Sequence, residues 1–354
     1  MFVMKILARI LILLLVPLCF SVGMDSAQAP SPTPVAHKKI KRWFDLEALA
    51  IATRYRYVES DVGLSTSAQQ YQVFARGRFK FDSKGKYSVV GAIATGNNIV
   101  GGWNNTGWGT GDLQADFYFK QLYFEAKPIK PLAIQFGGIA PNNGENTEIT
   151  GYDNDAYLMG ERVSVGDPKK FYFDEISATN GFIGDPTRPN VFRRFKRLAE
   201  SNYHQILVRK TINKRVTFSA DYTFDSGTDM LRQAVKVNVP ELKVVDGFRF
   251  ENYERLDPRP GYGFALTGEK KVTPKLNLIG GVAKISHVIL NGDRYPRGTR
   301  VYFGGTYKIT GEFSINPIII QAVGPLAAPS IPRTRFEIIA AYNFLEALHH
   351  YHIF

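Results

Sequence analysis

Short segments in which every second residue is apolar or aromatic recur from Trp43 to Phe344. One of them begins near Tyr71 and places aromatic and small residues on one face and Arg76 and Arg78 on the other. Segments of about ten residues with this period predict β-strands that have one apolar and one polar face. Many such strands require a large sheet, and a sheet that closes on itself exposes no edge strand.

The N-terminus has the pattern of a secretory signal peptide. Lys5 and Arg9 precede a short apolar run that ends near Phe20, and Ala27 to Ala29 fit a small-residue cleavage site. This apolar run is shorter than the ~20 residues of a membrane-spanning helix. The pattern predicts a signal peptide over 1–29, with an uncleaved membrane anchor as the alternative.

The remaining chain divides into three predicted parts. Residues 30–42 are rich in Pro and Lys and predict a flexible leader. Residues 43–344 carry the alternating segments, and residues 345–354 form a tail. The single cysteine, Cys19, lies inside the predicted signal peptide, so the exported chain would have no disulfide.

Composition favours membrane strands over membrane helices. Hydrophobic residues make up 44% of the chain and aromatic residues 13%, yet no long apolar run follows the signal peptide. The formal net charge is +12, which suits contact with anionic lipids or acidic solutes. A nucleic-acid partner is not expected, because an exported chain would not meet it.

The segments predict an all-β, transmembrane, antiparallel up-and-down β-barrel of about 14 strands, with 12 or 16 as alternatives. The count depends on two ambiguous hairpins, at 156–180 and 231–256. Short predicted turns are expected at the periplasmic side and long loops at the extracellular side. The short turns are 82–86, 127–131, 212–214, 272–274 and 310–312, and the long loops are 58–69, 97–113, 141–200, 226–260, 288–298 and 324–333. A soluble β-sandwich is the alternative fold.

The stretch FEIIAAYNF near the C-terminus resembles the last strand of Gram-negative outer-membrane barrels. Its alternating positions are Phe336, Ile338, Ala340, Tyr342 and Phe344. Aromatic residues at the end of such a strand anchor at the membrane interface. The resemblance implies that the barrel-assembly machinery recognises this strand, and the nearest families are the porins and the alginate-export-like channels. The chain departs from this pattern because LEALHHYHIF follows Phe344.

If the aromatic face points outward, the intervening side chains line the interior. A charge on the lipid face costs about 2–4 kcal/mol at mid-depth, so charged residues of the strands are expected inside. The predicted pore-lining residues are Arg54, Arg56, Arg76, Arg78, Lys80, Asp221, Asp225, Arg300, Lys308, Arg335 and Glu337. Because the first and last strands pair when a barrel closes, the cations are expected to form a ladder on one wall.

A long acidic segment at 141–161 contains no Lys or Arg. In porins, a long loop often folds into the barrel, and this resemblance implies that the segment narrows the pore opposite the arginines. The candidate constriction residues are Glu145, Glu148, Asp153, Asp155 and Glu161. An exposed acidic loop is the alternative.

Two loops outside this pattern also carry functional hypotheses. Residues 186–200 hold five cations, which could bind lipopolysaccharide phosphates or an acidic substrate, or simply face solvent. Trp103 lies in an Asn/Gly-rich loop and could stack on a sugar.

These features predict an outer-membrane porin for passive diffusion of small hydrophilic solutes, with a preference for anions. The expected partners are outer-membrane lipids, lipopolysaccharide, the barrel-assembly machinery and small anionic solutes, and a homo-oligomer stays open. No cofactor or metal is expected, and no enzyme motif is present. The alternatives are a transporter of an acidic saccharide, a barrel hydrolase that would depend on His204, and a plugged structural barrel.

Overall fold

The computed structural model describes residues 43–63, 65–99, 101–148, 156–166, 172–257, 259–286, 297–326 and 331–350. Strands dominate these residues, as the alternation predicts. They are β1 Phe44–Ser60, β2 Ser65–Lys80, β3 Tyr87–Thr95, β4 Asn104–Gly109, β5 Phe117–Ala126, β6 Leu132–Ile139, β7 Leu158–Val165, β8 Glu175–Phe182, β9 Tyr203–Ile212, β10 Val216–Asp225, β11 Thr228–Asn238, β12 Gly247–Asp257, β13 Gly261–Lys271, β14 Leu276–Ile285, β15 Gly298–Lys308, β16 Phe313–Val323 and β17 Pro332–Asn343.

The strands form one closed antiparallel barrel. Each strand of the ring pairs with its neighbours along the chain, and β1 closes the ring by pairing with β17 from Ala50 opposite Asn343 to Ser60 opposite Pro332. The short β4 pairs with β2 beyond the point where β3 separates from it, and β3 pairs directly with β5. Sixteen of the 17 described strands therefore make the ring.

The predicted count of about 14 strands is wrong, and the stated alternative of 16 is correct. Both ambiguous segments form hairpins, β7 with β8 and β11 with β12. The first hairpin is difficult to predict because the polar residues Glu161 and Asn180 interrupt its outward apolar row. In the second, Phe248 and Phe250 point outward while Arg249 and Glu251 are buried on the inner face.

The two ends of the barrel have different connections. At the end where β1 begins and β17 ends, here called the turn end, the strands are joined by 81–86, 127–131, 166–174, 213–215, 239–246, 272–275 and 309–312. At the opposite loop end, the longest connections are 96–116, 140–157, 183–202 and 286–297. The predicted long loops at 58–69, 141–200 and 226–260 are wrong. The second contains the hairpin of β7 and β8, and the third contains the hairpin of β11 and β12. Strands β1 and β2 extend to within a few residues of each other, and β10 and β11 are joined through Ser226 and Gly227.

Two helical segments accompany the strands in the described part of the chain. A 3₁₀ helix, Val191–Arg197, lies within the connection between β8 and β9, and α1, Phe344–His350, follows β17 directly. None of the described helices is long and apolar enough to cross a bilayer.

The inner face is partly apolar and partly charged. One apolar cluster on β11–β16 includes Met230, Tyr253, Tyr302 and Ile320. A Cβ at Gly281 would lie 2.6 Å from the Tyr302 hydroxyl, so glycine provides the space for that ring. Most of the remaining inner face carries charged and polar side chains, and these define the candidate site.

Candidate pore lining and constriction segment

The seam where the barrel closes holds one carboxylate among three arginines. Glu337 of β17 lies opposite Arg56 of β1 in the register and contacts it directly. Arg335 donates to Glu337 Oε1 at 2.8 Å, and Arg54 NH1 lies 3.5 Å from the same oxygen. Glu337 and Arg54 are nearly fully buried. The three arginines therefore share one carboxylate, and its negative charge reduces the repulsion between them.

A second charge cluster continues the seam across β1, β2 and β5. Arg78 contacts both Glu47 and Glu125, and it also donates to Ser88 Oγ at 2.8 Å. Arg76 lies 2.9 Å from Glu47 Oε2 and donates to the Tyr123 hydroxyl at 2.7 Å. Every cation of this cluster thus has an acceptor on a neighbouring strand.

Along the seam, cations alternate with carboxylates, whereas the sequence predicted a ladder of cations with Glu337 as the one carboxylate among them. Lys80 contacts Asp45, which is a further carboxylate that the pattern did not indicate. Glu47 reaches the inner face because β1 is irregular between Leu46 and Ala48, which shifts its register against β2. A strict two-residue period cannot reveal such a bulge. Glu125 was detectable, because it shares a face with the buried Tyr123.

An aromatic side chain covers part of the seam. The Arg54 guanidinium lies 4.2 Å from the centroid of the Trp103 ring, which reaches it from the connection between β3 and β5. Arg54 also donates to Gln70 Oε1 at 2.9 and 2.6 Å. This distance is that of a cation–π contact, so Arg54 holds the Trp103 ring against the inner wall.

Residues 140–148 contact the inner wall of β8–β12. The Glu145 amide donates to Ser219 Oγ at 2.9 Å, and the Thr147 amide donates to Glu251 Oε1 at 3.1 Å. The Glu148 amide also donates to Glu251, at 3.0 and 3.1 Å to its two oxygens. This part of the connection between β6 and β7 therefore lies against the inner face of the strands. We call residues 140–148 the inserted segment.

Side chains of the wall complete the anchoring of the inserted segment. Asn142 donates to Glu175 Oε1 at 2.9 Å, and Arg232 NH1 lies 3.3 Å from Asn143 Oδ1. Arg249 contacts the Thr147 hydroxyl. These wall residues were missed from the sequence because their hairpins were ambiguous.

The candidate constriction residues fall in three different places. Glu145 lies in the inserted segment, 3.8 Å from Arg209 of β9, and Glu148 is buried there. Glu161 lies outside the segment, exposed in strand β7 on the opposite face from the buried Arg162. Asp153 and Asp155 lie outside the described residues.

The other predicted inner residues are distributed around the ring. Asp221 is buried and accepts hydrogen bonds from Arg232 and from Thr223 Oγ1 at 3.0 and 2.7 Å. Asp225 ends β10, where it accepts a hydrogen bond from Ser226 Oγ at 2.9 Å. Arg300 is buried near the loop end and donates to the Arg297 carbonyl at 2.9 Å. Lys308 lies at the last residue of β15, at the turn end.

The C-terminal aromatic residues lie mainly on the outward face. Phe336 and Ile338 alternate with the buried Arg335 and Glu337, and β17 ends at Asn343. Phe344 is the first residue of α1 and not the last of the strand, and its ring packs edge-on against Tyr342 at 4.7 Å. Asn343 Oδ1 accepts from the amide of Leu345 at 3.1 Å and so begins the helix.

Histidines in the described residues do not lie on the inner wall. His204 is exposed on β9, and Ser201, which lies 3.4 Å from its Nε2, donates instead to Asn180 Oδ1 at 2.6 Å. His350 of α1 lies 3.2 Å from Glu312 at the turn end. Among the described residues, no group of three His, Cys, Asp or Glu side chains is arranged to hold a metal.

No protein-family model matches the sequence, and no curated protein matches it either. Solved structures do match the fold. A variant of the porin of Rh. blastica superposes with a TM-score of 0.53 at 12% identity, over 85% of this chain and 100% of that chain. A second variant of that porin gives 0.53 at 14% identity, over 85% and 100%. OprB of Pseudomonas putida, solved at low pH, gives 0.52 at 11% identity, over 85% and 92%. The chain therefore has a closed β-barrel of the porin fold.

Proposed function

We propose that this chain is an outer-membrane channel through which small hydrophilic solutes diffuse passively. The observation that carries the proposal is a closed ring of sixteen strands with a charged inner face and a segment inserted into its interior. Polar groups along a pore, together with a constriction, select solutes by size and charge. The porin fold of the similar structures supports the same function.

The outward face supports the membrane location. Its exposed side chains include Phe79, Phe124, Phe136, Phe250 and Phe303. Water solvates such an aromatic surface poorly, whereas the outer face of a membrane barrel is apolar and carries aromatic girdles. We infer that the turn end faces the periplasm and the loop end faces the outside, as in barrels whose longer loops are extracellular.

We propose a modest preference for anions. On the seam wall, the six cations Arg54, Arg56, Arg76, Arg78, Lys80 and Arg335 outnumber the four carboxylates Asp45, Glu47, Glu125 and Glu337. Because neighbouring carboxylates neutralise most of this charge, the preference should be weaker than a bare arginine ladder would give.

The testing experiment is single-channel recording of the folded full chain in a planar bilayer under a KCl gradient. We expect a stable conductance and a reversal potential of the sign that indicates anion preference. The double substitution Arg76→Gln and Arg78→Gln should shift that potential towards cation preference. The matched control is Arg215→Gln, because Arg215 is exposed and paired with Glu241 at the turn end. Absence of conductance from a folded barrel would contradict the channel, and an unchanged potential in the double variant would contradict the anion preference.

A second candidate is a channel for an acidic saccharide, and the contact between Trp103 and Arg54 favours it. An indole face stacks on sugar rings, and a guanidinium binds carboxylates. In the same recordings, an oligouronate should block the current of the native channel, and Trp103→Ala should reduce the block. An equal block by a neutral oligosaccharide would count against an acidic substrate.

We further propose that the chain reaches this membrane by removal of residues 1–29 and by recognition of its last strand by the barrel-assembly machinery. The outward Phe336 and Ile338 and the Tyr342–Phe344 contact support a recognisable strand end. The N-terminal sequence of the protein purified from outer membranes tests the first step, and the membrane yield of Tyr342→Ala tests the second.

A further inference from the structure

The connection between β8 and β9 holds a cluster of cations on the side of the barrel at the loop end. Its 3₁₀ helix, Val191–Arg197, packs against strands β5–β7. Phe192 contacts Phe119 edge-on at 5.3 Å, and Phe119 pairs with Ile93 in the outward row. Val191 is fully buried over Gly138, where a Cβ would lie 2.4 Å from Val191 Cγ2. The helix therefore lies against the outer wall and not in the interior.

Arg194 of this helix is a buried cation whose two terminal nitrogens lack hydrogen-bond acceptors in the described part of the chain. Its side chain is only 5% exposed, and neither NH1 nor NH2 has a hydrogen-bond partner within the described residues. Its guanidinium carbon lies 5.1 Å from the centroid of the Tyr157 ring. Burial raises the pKa of Tyr157 to about 12, against the opposing effect of Arg194, so the phenol stays neutral and does not balance the charge. A buried guanidinium with two unsatisfied nitrogens is costly, which supports an anion as the group that completes the site.

A surface pocket of about 750 Å³ adjoins Arg194 and gathers further cations. Arg188, Arg193 and Lys196 line it together with Tyr118 and Asn190. Arg188 pairs with Asp185 at 3.2 Å. Within the part of the chain that the structure describes, no carboxylate forms an ion pair with Arg193 or Lys196, so the pocket is strongly positive.

We propose that this pocket binds the phosphate of an anionic lipid headgroup. Arginine matches the geometry of phosphate oxygens, and the clustered cations supply several charge-assisted hydrogen bonds. The neighbouring aromatic surface decides between a lipid and a soluble phosphate. Phe192 is 55% exposed and Phe117 is 53% exposed, and both offer an apolar surface for acyl chains beside the charges. The inference rests on the proposed membrane location of the barrel.

The test measures lipid A retained by the full chain, folded in neutral detergent, with native mass spectrometry. Two variants probe the pocket: the exposed pair Arg193→Gln with Lys196→Gln, and the buried Arg194→Met. Each should weaken lipid A binding by about tenfold or more, because each removes charge-assisted contacts. The control Arg215→Gln should bind lipid A like the native chain. Heat-modifiable gel mobility reports folding, and the exposed double variant keeps the test decisive if Arg194→Met does not fold.

Three results would overturn the inference. Unchanged retention in the folded double variant would show that the pocket does not bind the lipid. Complete displacement of lipid A by an equal concentration of inorganic phosphate would assign the pocket to a soluble phosphate. Retention in the native chain no greater than that of a neutral glycolipid would exclude an anion site. Conductance in a phosphatidylcholine bilayer tests the channel separately, since that bilayer contains no lipid A.

Discussion

Two walls of the barrel interior carry charged side chains and use them differently. On the seam wall, formed by β17, β1, β2, β3 and β5, arginines pair with carboxylates of other strands. Arg78 of β2 contacts Glu47 of the adjacent β1 and Glu125 of β5, which lies beyond β3. On the opposite wall, Glu251 accepts backbone amides of the inserted segment. In the first arrangement charged side chains of the strands pair with one another, and in the second a wall carboxylate binds the backbone of the inserted segment. Charged side chains on the inner face therefore have two roles, to pair with other strands or to bind the inserted segment. Only the contacts of each side chain show which role it has.

The largest effect is expected from removing the shared carboxylate of the seam. Glu337→Gln leaves Arg54, Arg56 and Arg335 close together without their anion. Loss of one partner of a buried ion pair costs about 3–5 kcal/mol, so the unfolding midpoint in denaturant should fall clearly. In the channels that do fold, the reversal potential should move further towards anions.

The matched control for that prediction is Glu241→Gln, because Glu241 forms an exposed pair with Arg215. Its effect on stability should be within about 1 kcal/mol, as for most surface ion pairs. Equal stability of the Glu337→Gln and Glu241→Gln variants would contradict a coupled seam cluster.

The next effect concerns the anchor of the inserted segment. Glu251→Ala removes the acceptor of the Thr147 and Glu148 amides. Hydrogen bonds to a charged group contribute about 1.5–3 kcal/mol each, so the segment should detach while the ring of strands remains. We expect a larger single-channel conductance with more current noise, measured in the planar bilayer. A conductance equal to that of the native channel would show that the segment does not set the narrowest cross-section.

A smaller effect is expected when a contact of the inserted segment is removed and the charge pair of the wall is kept. Asn143→Ala removes the contact with Arg232 but leaves the pair of Arg232 with Asp221 on the wall. The expected cost is about 0.5–1.5 kcal/mol, with a modest rise in conductance. A loss of stability as large as that of Glu337→Gln would mean that the segment is integral to the folding of the ring.

The smallest effect is at the loop-end rim of the seam. Asp61 accepts a hydrogen bond from Arg333, which holds the pKa of Asp61 below its ordinary value of 3.8. A carboxylate whose pKa is lower in the folded state stabilises the fold above its unfolded pKa, and this contribution is lost as the pH falls through the folded value. Unfolding followed below pH 4 should therefore show a slightly smaller acid sensitivity in Asp61→Asn than in the native chain. An identical acid dependence in the variant and the native chain would show that the Asp61–Arg333 pair does not contribute to stability.

The sequence predicts some strands and inward-facing residues of this protein correctly and misses others. The alternation around Tyr71 identifies strand β2 and assigns Arg76 and Arg78 to the inner face, and the same pattern assigns Asp221. The prediction fails where the period is broken. The bulge at Glu47 hides a carboxylate. The polar residues Glu161 and Asn180 break the outward row of β7 and β8, and so the strand count was too low.

The basic loop shows a different limit. Its five cations are visible in the sequence, but the sequence cannot distinguish the exposed Lys196 from the buried Arg194. Burial depends on the outer wall of β5–β7, against which the loop packs and which lies far from it in sequence. The acidic segment behaves in the same way, since its composition does not specify which wall binds it.

The sequence by itself determined the class of fold and the facing of most side chains, because alternation is a local property that each strand carries. The tertiary structure decided which charges pair. Arg56 and Glu337 are 281 positions apart, and they meet only because β1 and β17 close the ring in one register. It also decided that the amides of 147 and 148 reach Glu251, more than a hundred positions away. Such contacts follow from closure and register, which no single segment of the chain encodes.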